Sequence, residues 1–222
     1  MSRRTFEVTP LLMLRAYQAG LFPMAEARRG DRLYWLDPEM RGVLPLDGFH
    51  LPRRLLRTVL SNHFEVSSDQ DFTATITGCA APAPGRDETW INREIEHLFG
   101  ELFRMGHAHT VECRHNGVLV GGLYGVSIGG VFFGESMFSR TRDASKVALV
   151  HLVARLRIAG FTLLDTQFVT DHLVQFGAVE IPRDDYKARL AAAVSLPAPW
   201  TAMPDPARLA AEFLALAGRA GG

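Results

Sequence analysis

The sequence predicts an α+β protein, and three observations carry that expectation. From residue 92 onward the apolar pattern runs helix, three short strands, helix, strand, helix, an order that suits an antiparallel sheet with helices packed on it. Asn116-Gly117 separates two of the strand-patterned runs, the strongest short hairpin signal in the chain. Residues 144–159 form a long amphipathic helical pattern closed by Gly160. With 222 residues, 47% of them hydrophobic and 22% charged, the chain suits one large domain, or one domain with an appendage. We expect a small N-terminal α/β domain over 1–62 and a larger domain over 63–222.

The elements follow from local signals. Thr9 is a helix cap, Pro10 suits a first helical position and Gly20 a stop, so 9–20 reads as a helix. Leu21-Phe-Pro-Met is a break, and Leu33 to Pro45, aromatic and rich in turn residues, reads as short strands and turns. Pro52 to Leu60 is a short basic helix carrying Arg53, Arg54 and Arg57. A strand is expected over 62–67, then a helix from Asp69 to about Gly78 and a Pro/Gly linker over 81–86. Asn92 caps the next helix, whose Ile95, Leu98, Phe99 and Leu102 share one face. Strands are expected over 107–114, 117–126 and 130–138. After the helix of 144–159 come a buried strand from Phe161 to Gln167, a short helix over 171–176 and a helix containing Tyr186. A Pro-rich stretch and an Ala/Leu helix finish the chain.

Composition excludes several classes. No run approaches the 18 or so apolar residues that a membrane-spanning helix needs, and no signal peptide is evident at Met1 to Arg15, so a cytoplasmic protein is expected. Two cysteines make neither a disulfide framework nor a zinc site. Lys+Arg and Asp+Glu are equal at 24 each, yet residues 1–64 hold ten basic and six acidic residues, a local +4. That bias fits either a solvated face or a polyanion touched locally.

Some motifs fail on context. Gly125-Val-Ser-Ile-Gly129, with Asp165 and His172 downstream, matches a hydrolase nucleophile elbow in spelling, but a strand follows Ser127 where the elbow needs a helix. His107, His109 and Glu112 do not share a strand face, so no metal site is expected. The element order resembles the N-acetyltransferase superfamily in outline. The turn before the helix of 144–159, Ser139-Arg-Thr-Arg-Asp-Ala-Ser-Lys, nevertheless lacks the glycines that would cradle the pyrophosphate of CoA.

A series of segments resembles one family. These are Ala16-Tyr-Gln-Ala-Gly-Leu-Phe-Pro-Met24, Trp35-Leu-Asp-Pro-Glu-Met-Arg-Gly42, Thr89-Trp-Ile91, Gly106-His-Ala-His-Thr-Val-Glu112 and Gly121-Gly-Leu-Tyr-Gly-Val126. They continue with Gly134-Glu-Ser-Met-Phe-Ser139, Ala144-Ser-Lys-Val-Ala-Leu149, Asp165-Thr-Gln167 and Gly177 through Tyr186. In this order they resemble the leucyl/phenylalanyl-tRNA–protein transferases. The resemblance implies a small N-terminal domain and an acetyltransferase-like (GNAT-type) catalytic domain. It also implies transfer of Leu or Phe, with Met a weaker donor, from aminoacyl-tRNA to the N-terminal Arg or Lys of an acceptor protein, marking it for N-degron degradation. No cofactor, metal or membrane is implied, and a monomer is expected. A CoA-dependent N-acyltransferase of the same fold is the alternative, and a catalytically silent tRNA-end binding module a third reading.

The chemistry asks little of the protein. An aminoacyl ester is already activated, and an α-amino group with a pKa of about 7.7–8.0 is partly neutral at pH 7. Positioning, one proton acceptor and some oxyanion stabilisation suffice. Asp165 and Gln167 are two apart on a strand and so should share a face. By resemblance, Gln167 meets the attacking amine and Asp165 orients and polarises it, while Glu135, beside Ser136, receives the cationic acceptor. Leu149, Leu152 and Leu156 form one helical stripe, which by itself reads as core. The resemblance makes them, with Leu123 and Leu164, the walls of the Leu/Phe pocket. It likewise gives Trp35 and Trp90 to the 3′-terminal adenosine, where stacking would ignore base identity. Arg53, Arg54 and Arg57 are the basic cluster expected to meet tRNA phosphates.

Overall fold

A computed structural model describes residues 8–25, 33–82 and 89–218. The elements run α1 (Pro10–Gln18), β1 (Phe22–Ala25), β2 (Leu33–Leu36), β3 (Met40–Val43), α2 (Arg53–Leu60), β4 (Glu65–Ser68), α3 (Phe72–Ala80) and α4 (Arg93–Arg104). They continue with β5 (Ala108–His115), β6 (Val118–Ile128), β7 (Val131–Ser139), α5 (Ala144–Ala159), β8 (Leu163–Gln167), α6 (Asp171–Val174), β9 (Val179–Pro182), α7 (Arg183–Val194) and α8 (Pro206–Gly218). The N-terminal residues 1–7 and most of the expected linker, 83–86, lie outside the described residues.

Local chemistry sets several boundaries. The Thr9 side chain accepts the Leu12 N–H at 3.2 Å, and Pro10 opens α1. Asn92 does the same for Ile95 at 2.9 Å, starting α4. The helix expected from Asp69 begins later: Asp71 is its cap, accepting the Ala74 N–H at 3.0 Å. Asp69 is engaged elsewhere, one carboxylate oxygen accepting the Thr110 N–H at 2.8 Å. Asn116 and Gly117 both take positive φ, 51° and 74°, the geometry that a tight β5–β6 hairpin requires. Two short strands had no clear sequence signal. β1 falls in the expected break and pairs with β2, and β9 flanks β3.

The large sheet has seven strands in the order β4-β5-β6-β7-β8-β3-β9, and each pair is antiparallel except β7–β8. The parallel pair is joined by α5, as a crossover must be. Residues 40–43, early in the chain, thus lie between two C-terminal strands, with Gly42 opposite Gln167 and Val43 opposite Asp165. Helices cover both faces. One apolar cluster gathers around α2, α5 and α8, the other around α1, α3, α4 and α7.

The expectation of an amphipathic α5 is corrected. Nearly every residue from Ala144 to Leu156 is buried, Lys146 excepted, because the sheet covers one side of the helix and α2 and α8 cover others. Phe213 and Leu216 of α8 seat in that same core.

Candidate active site

A cavity of about 400 Å³ opens where β1, β6, β7, β8, α5 and α6 meet. Leu123 of β6, Leu149 and Leu152 of α5 and Leu164 of β8 make its apolar wall, while Glu135 and Ser136 line it from the middle of β7 and Gln167 from the end of β8. Trp90 and the β1 residues Phe22 to Met24 form the remaining side. Eight residues singled out in the sequence therefore surround one space.

Others lie elsewhere. Leu156, two turns beyond Leu149, is fully buried in the α2–α5–α8 core and does not reach the cavity wall. Trp35 pairs across the β1–β2 ribbon with Pro23 and lines a separate groove with Leu12, Arg15 and Glu94, one strand removed from the cavity. Arg53, Arg54 and Arg57 stand on the exposed face of α2, whose Leu55 and Val59 turn inward. Arg54 also bonds Asp143 at 2.9 Å, just ahead of α5.

Gln167 is held in a strained conformation. Its φ is 57°, and the Phe168 N–H donates to the Thr166 carbonyl at 2.6 Å, closing a three-residue turn around it. Left-handed backbone at a non-glycine residue costs about 1–3 kcal/mol and persists only where its surroundings enforce it. Gly42 is part of that enforcement: a Cβ there would lie 2.6 Å from the Phe168 carbonyl carbon and 2.9 Å from the Val169 nitrogen, so only glycine lets β3 run against the turn. Asp165 is the rest. Its Oδ1 accepts the Gln167 N–H at 2.8 Å. The expectation that the two side chains stand side by side is thus corrected, since the turn lifts Gln167 into the cavity while Asp165, with no exposed surface, holds its backbone from behind.

Asp165 in turn is locked. Arg41 Nε and Nη2 donate to its two oxygens at 3.0 and 2.6 Å, and the Tyr186 hydroxyl donates to Oδ2 at 2.7 Å. The Arg41 guanidinium lies between the rings of Phe22 and Tyr186, 4.4 and 4.6 Å from their centroids, and donates to the Gly20 carbonyl at 3.1 Å. Burial alone would lower the Arg41 pKa, but its hydrogen bond to Asp165 and that residue's charge outweigh burial and raise it. A guanidinium suits this place because its planar fork matches a carboxylate at two points.

Glu135 is set differently. Its Oε1 accepts the Tyr17 hydroxyl at 2.8 Å and lies 3.4 Å from Gln167 Nε2. Burial pushes its carboxyl up to about 8; Asp165 adds to the rise, while Tyr17 and Arg41 oppose it. Three further cavity residues carry a buried polar atom without a hydrogen-bond partner among the described residues: Tyr124 OH, Thr166 Oγ1 and His172 Nε2. Such atoms call for a polar guest.

Arg41, Tyr17 and Tyr186 drew no role from the sequence, although all three fall inside the resembling segments. The available signal was charge. An arginine in a four-residue strand pattern needs a buried anion, and Asp165 in an apolar strand needs a cation.

The hydrolase spelling is resolved by geometry. Ser127 sits within β6, and its Oγ meets His109 Nε2 at 3.1 Å, not His172. His109 Nδ1 bonds Asp69 Oδ2 at 2.9 Å, Trp200 stacks on the His109 ring and donates to Asp69, and Ser127 and His109 are buried away from the cavity. In the turn ahead of α5, Ser139 Oγ accepts the Ser145 N–H and the Asp143 carboxylate pairs with Arg54 and Lys146. Among the described residues no three His, Cys, Asp or Glu side chains are gathered to hold a metal, and no helix is long and apolar enough to cross a membrane.

A leucine-lined slot runs to a fixed carboxamide and a carboxylate, carried on a mixed sheet whose parallel pair is bridged by a buried helix, so an apolar side chain can be held beside polar groups. The chain belongs to the leucyl/phenylalanyl-tRNA protein transferase family, the family model matching residues 43–191 and that of its N-terminal domain residues 6–39. It is therefore an aminoacyltransferase by family. The leucyl/phenylalanyl-tRNA–protein transferase of Phenylobacterium zucineum (strain HLK1) is 60% identical over 191 residues, 86% of either chain. That of Rhodopseudomonas palustris (strain TIE-1) is 58% identical over 198 residues, 89% of this chain and 88% of the relative. Among solved structures, a C-terminal domain (DUF2156) described under the name lysylphosphatidylglycerol synthetase, from Agrobacterium fabrum, aligns with 94% of this chain and 62% of its own at 14% identity. Its TM-score of 0.39 is too low to bear on fold or function.

Proposed function

We propose that this protein transfers Leu or Phe, and Met more weakly, from aminoacyl-tRNA to the N-terminal Arg or Lys of acceptor proteins, forming a peptide bond that marks them for N-degron degradation. The observation that carries this reading is the single cavity in which the leucine slot ends at Gln167 and Glu135. Leu123, Leu149, Leu152 and Leu164 receive the donor side chain. A purely apolar slot separates side chains that differ by a methylene by only about 1–3 kcal/mol, which suits an enzyme accepting several apolar residues. Trp90, with Trp35 one strand away, is assigned to the terminal adenine. Gln167 positions the attacking amine, Asp165 fixes Gln167, and Glu135 with Ser136 receives the acceptor's N-terminal end.

Labelled Leu-tRNA and labelled acetyl-CoA, each offered with a peptide beginning with Arg, test the reading directly. Transfer of leucine alone supports it; transfer of acetyl alone supports the rival acyltransferase, and transfer of neither leaves a tRNA-end binder. The exposed α2 arginines give a second test. Replacing Arg53, Arg54 and Arg57 with Ala removes phosphate contacts whose affinity falls with salt. The triple variant is expected to use whole Phe-tRNA at least tenfold less well at low salt, with a flatter salt slope, and to handle a short aminoacyl-adenosine donor as the wild type does. An unchanged salt slope with whole tRNA would remove α2 from the tRNA surface.

A further inference from the structure

Two carboxylates flank Gln167, and their conditions are opposite. Asp165 receives four donated hydrogen bonds on its two oxygens, from Arg41 Nε, Arg41 Nη2, Tyr186 OH and the Gln167 N–H, and has no edge on the cavity. Glu135 does line the cavity. Its Oε1 faces Tyr17 and Gln167, whereas among the described residues no donor meets Oε2 and no Lys or Arg pairs with it. A carboxylate with a spare oxygen, 3.4 Å from the amide nitrogen of Gln167, is within reach of anything that Gln167 holds.

We infer that Glu135 is the proton acceptor of the transfer, taking the proton from the acceptor's α-amino nitrogen while Gln167 only positions that nitrogen. The inference rests on the transferase reading above. A carboxamide is too weakly basic to hold a proton near neutral pH, and Asp165 has neither a free lone pair nor a path to the substrate. In the step, the amine nitrogen bonds to the ester carbonyl carbon and its proton passes to the Glu135 carboxylate. The bond from that carbon to the ribose oxygen breaks, and Glu135 returns the proton to the departing oxygen, which leaves as a hydroxyl. Peptide bond and free tRNA end account for every atom, and Glu135 is ionised again.

The surroundings suit that task. Glu135 is faced by Tyr17 from α1, Tyr124 from β6, Asp165 from β8 and Arg41 from β3, and His172 of α6 lines the same cavity. Burial first, with Asp165 adding and Tyr17 and Arg41 opposing, leaves the carboxyl at about 8, close to the roughly 7.7–8.0 of an α-amino group, so proton transfer between the two is nearly balanced. Because the pKa is raised, Glu135 is mostly protonated below about pH 8, and the ionised fraction able to accept a proton falls tenfold with each pH unit below it.

The test is the pH dependence of kcat/KM for an Arg-peptide acceptor with Phe-tRNA as donor. In the wild type, enzyme and amine must each lose a proton, so the logarithm of the rate should climb with a slope near two below about pH 7. Glu135→Gln should lower kcat by about 10²- to 10⁴-fold and leave a slope near one, that of the amine alone. Tyr17→Phe keeps the ring that packs on Phe133 but removes the hydrogen bond that favours the ionised form, so its limb should move to higher pH. Glu135→Gln within threefold of wild type, or slower only through a higher KM for Arg and Lys acceptors, would overturn the inference, as would an unmoved limb in Tyr17→Phe. A wild-type protein that transfers nothing from Phe-tRNA fails at the earlier step, the transferase reading itself.

Discussion

Asp165→Ala is expected to lose about 3–5 kcal/mol of folding stability and to abolish transfer, the loss expected when a buried ion pair is left with one partner. Arg41 is 1% exposed and Asp165 0%, with the guanidinium enclosed between two rings, so neither water nor a rotamer change can relieve the charge left behind. The same change frees the Gln167 N–H from its acceptor. Activity alone would mistake this residue for a catalytic one, and the double variant separates the roles. Arg41→Met with Asp165→Leu removes both charges at similar volume and should recover most of the stability without recovering transfer. Urea unfolding of the wild type and these two variants is the measurement. An alanine variant within about 1 kcal/mol of wild type would mean that the pair does not hold the site together.

Gly42→Ala should leave the protein folded and cut kcat/KM about a hundredfold. The new methyl would press on the carbonyl carbon and oxygen of Phe168 and on the Val169 nitrogen, all backbone atoms with no rotamer to yield. Something must shift, and the strained turn at Gln167 is what the methyl meets first. A displacement near 1 Å at a positioning group costs a rate factor of about 10². Circular dichroism and steady-state kinetics on the same preparation check the claim. Rates within threefold of wild type would show that the carboxamide tolerates movement and that β3 is not its template.

These two variants also mark where sequence reasoning stops. The caps at Thr9 and Asn92, the Asn116-Gly117 hairpin and the strand-helix-strand run to Gln167 were legible because each depends on neighbours a few residues away. The cavity wall was half legible. Leu149 and Leu152 reach it and Leu156 does not, although all three fit one helical stripe, because α5 is buried on nearly every side and periodicity cannot say which side faces the hollow. The alternation argument for Asp165 and Gln167 failed for a related reason: it assumed extended backbone through Gln167, where the chain turns left-handed.

By itself the sequence determined the element order of the C-terminal part, the local signals that start and stop its helices, and the set of residue types from which the site is made. The tertiary structure decided which of those residues meet. It brought Arg41 across more than a hundred residues to Asp165 by inserting β3 between β8 and β9, and Tyr17 likewise to Glu135. Burial then set apart two carboxylates that look alike in the sequence: one saturated by donors and hidden, the other open to the hollow with its carboxyl pushed up to about 8. Desolvation and charge pairing depend on what surrounds a group in space, and a one-dimensional pattern does not contain that information.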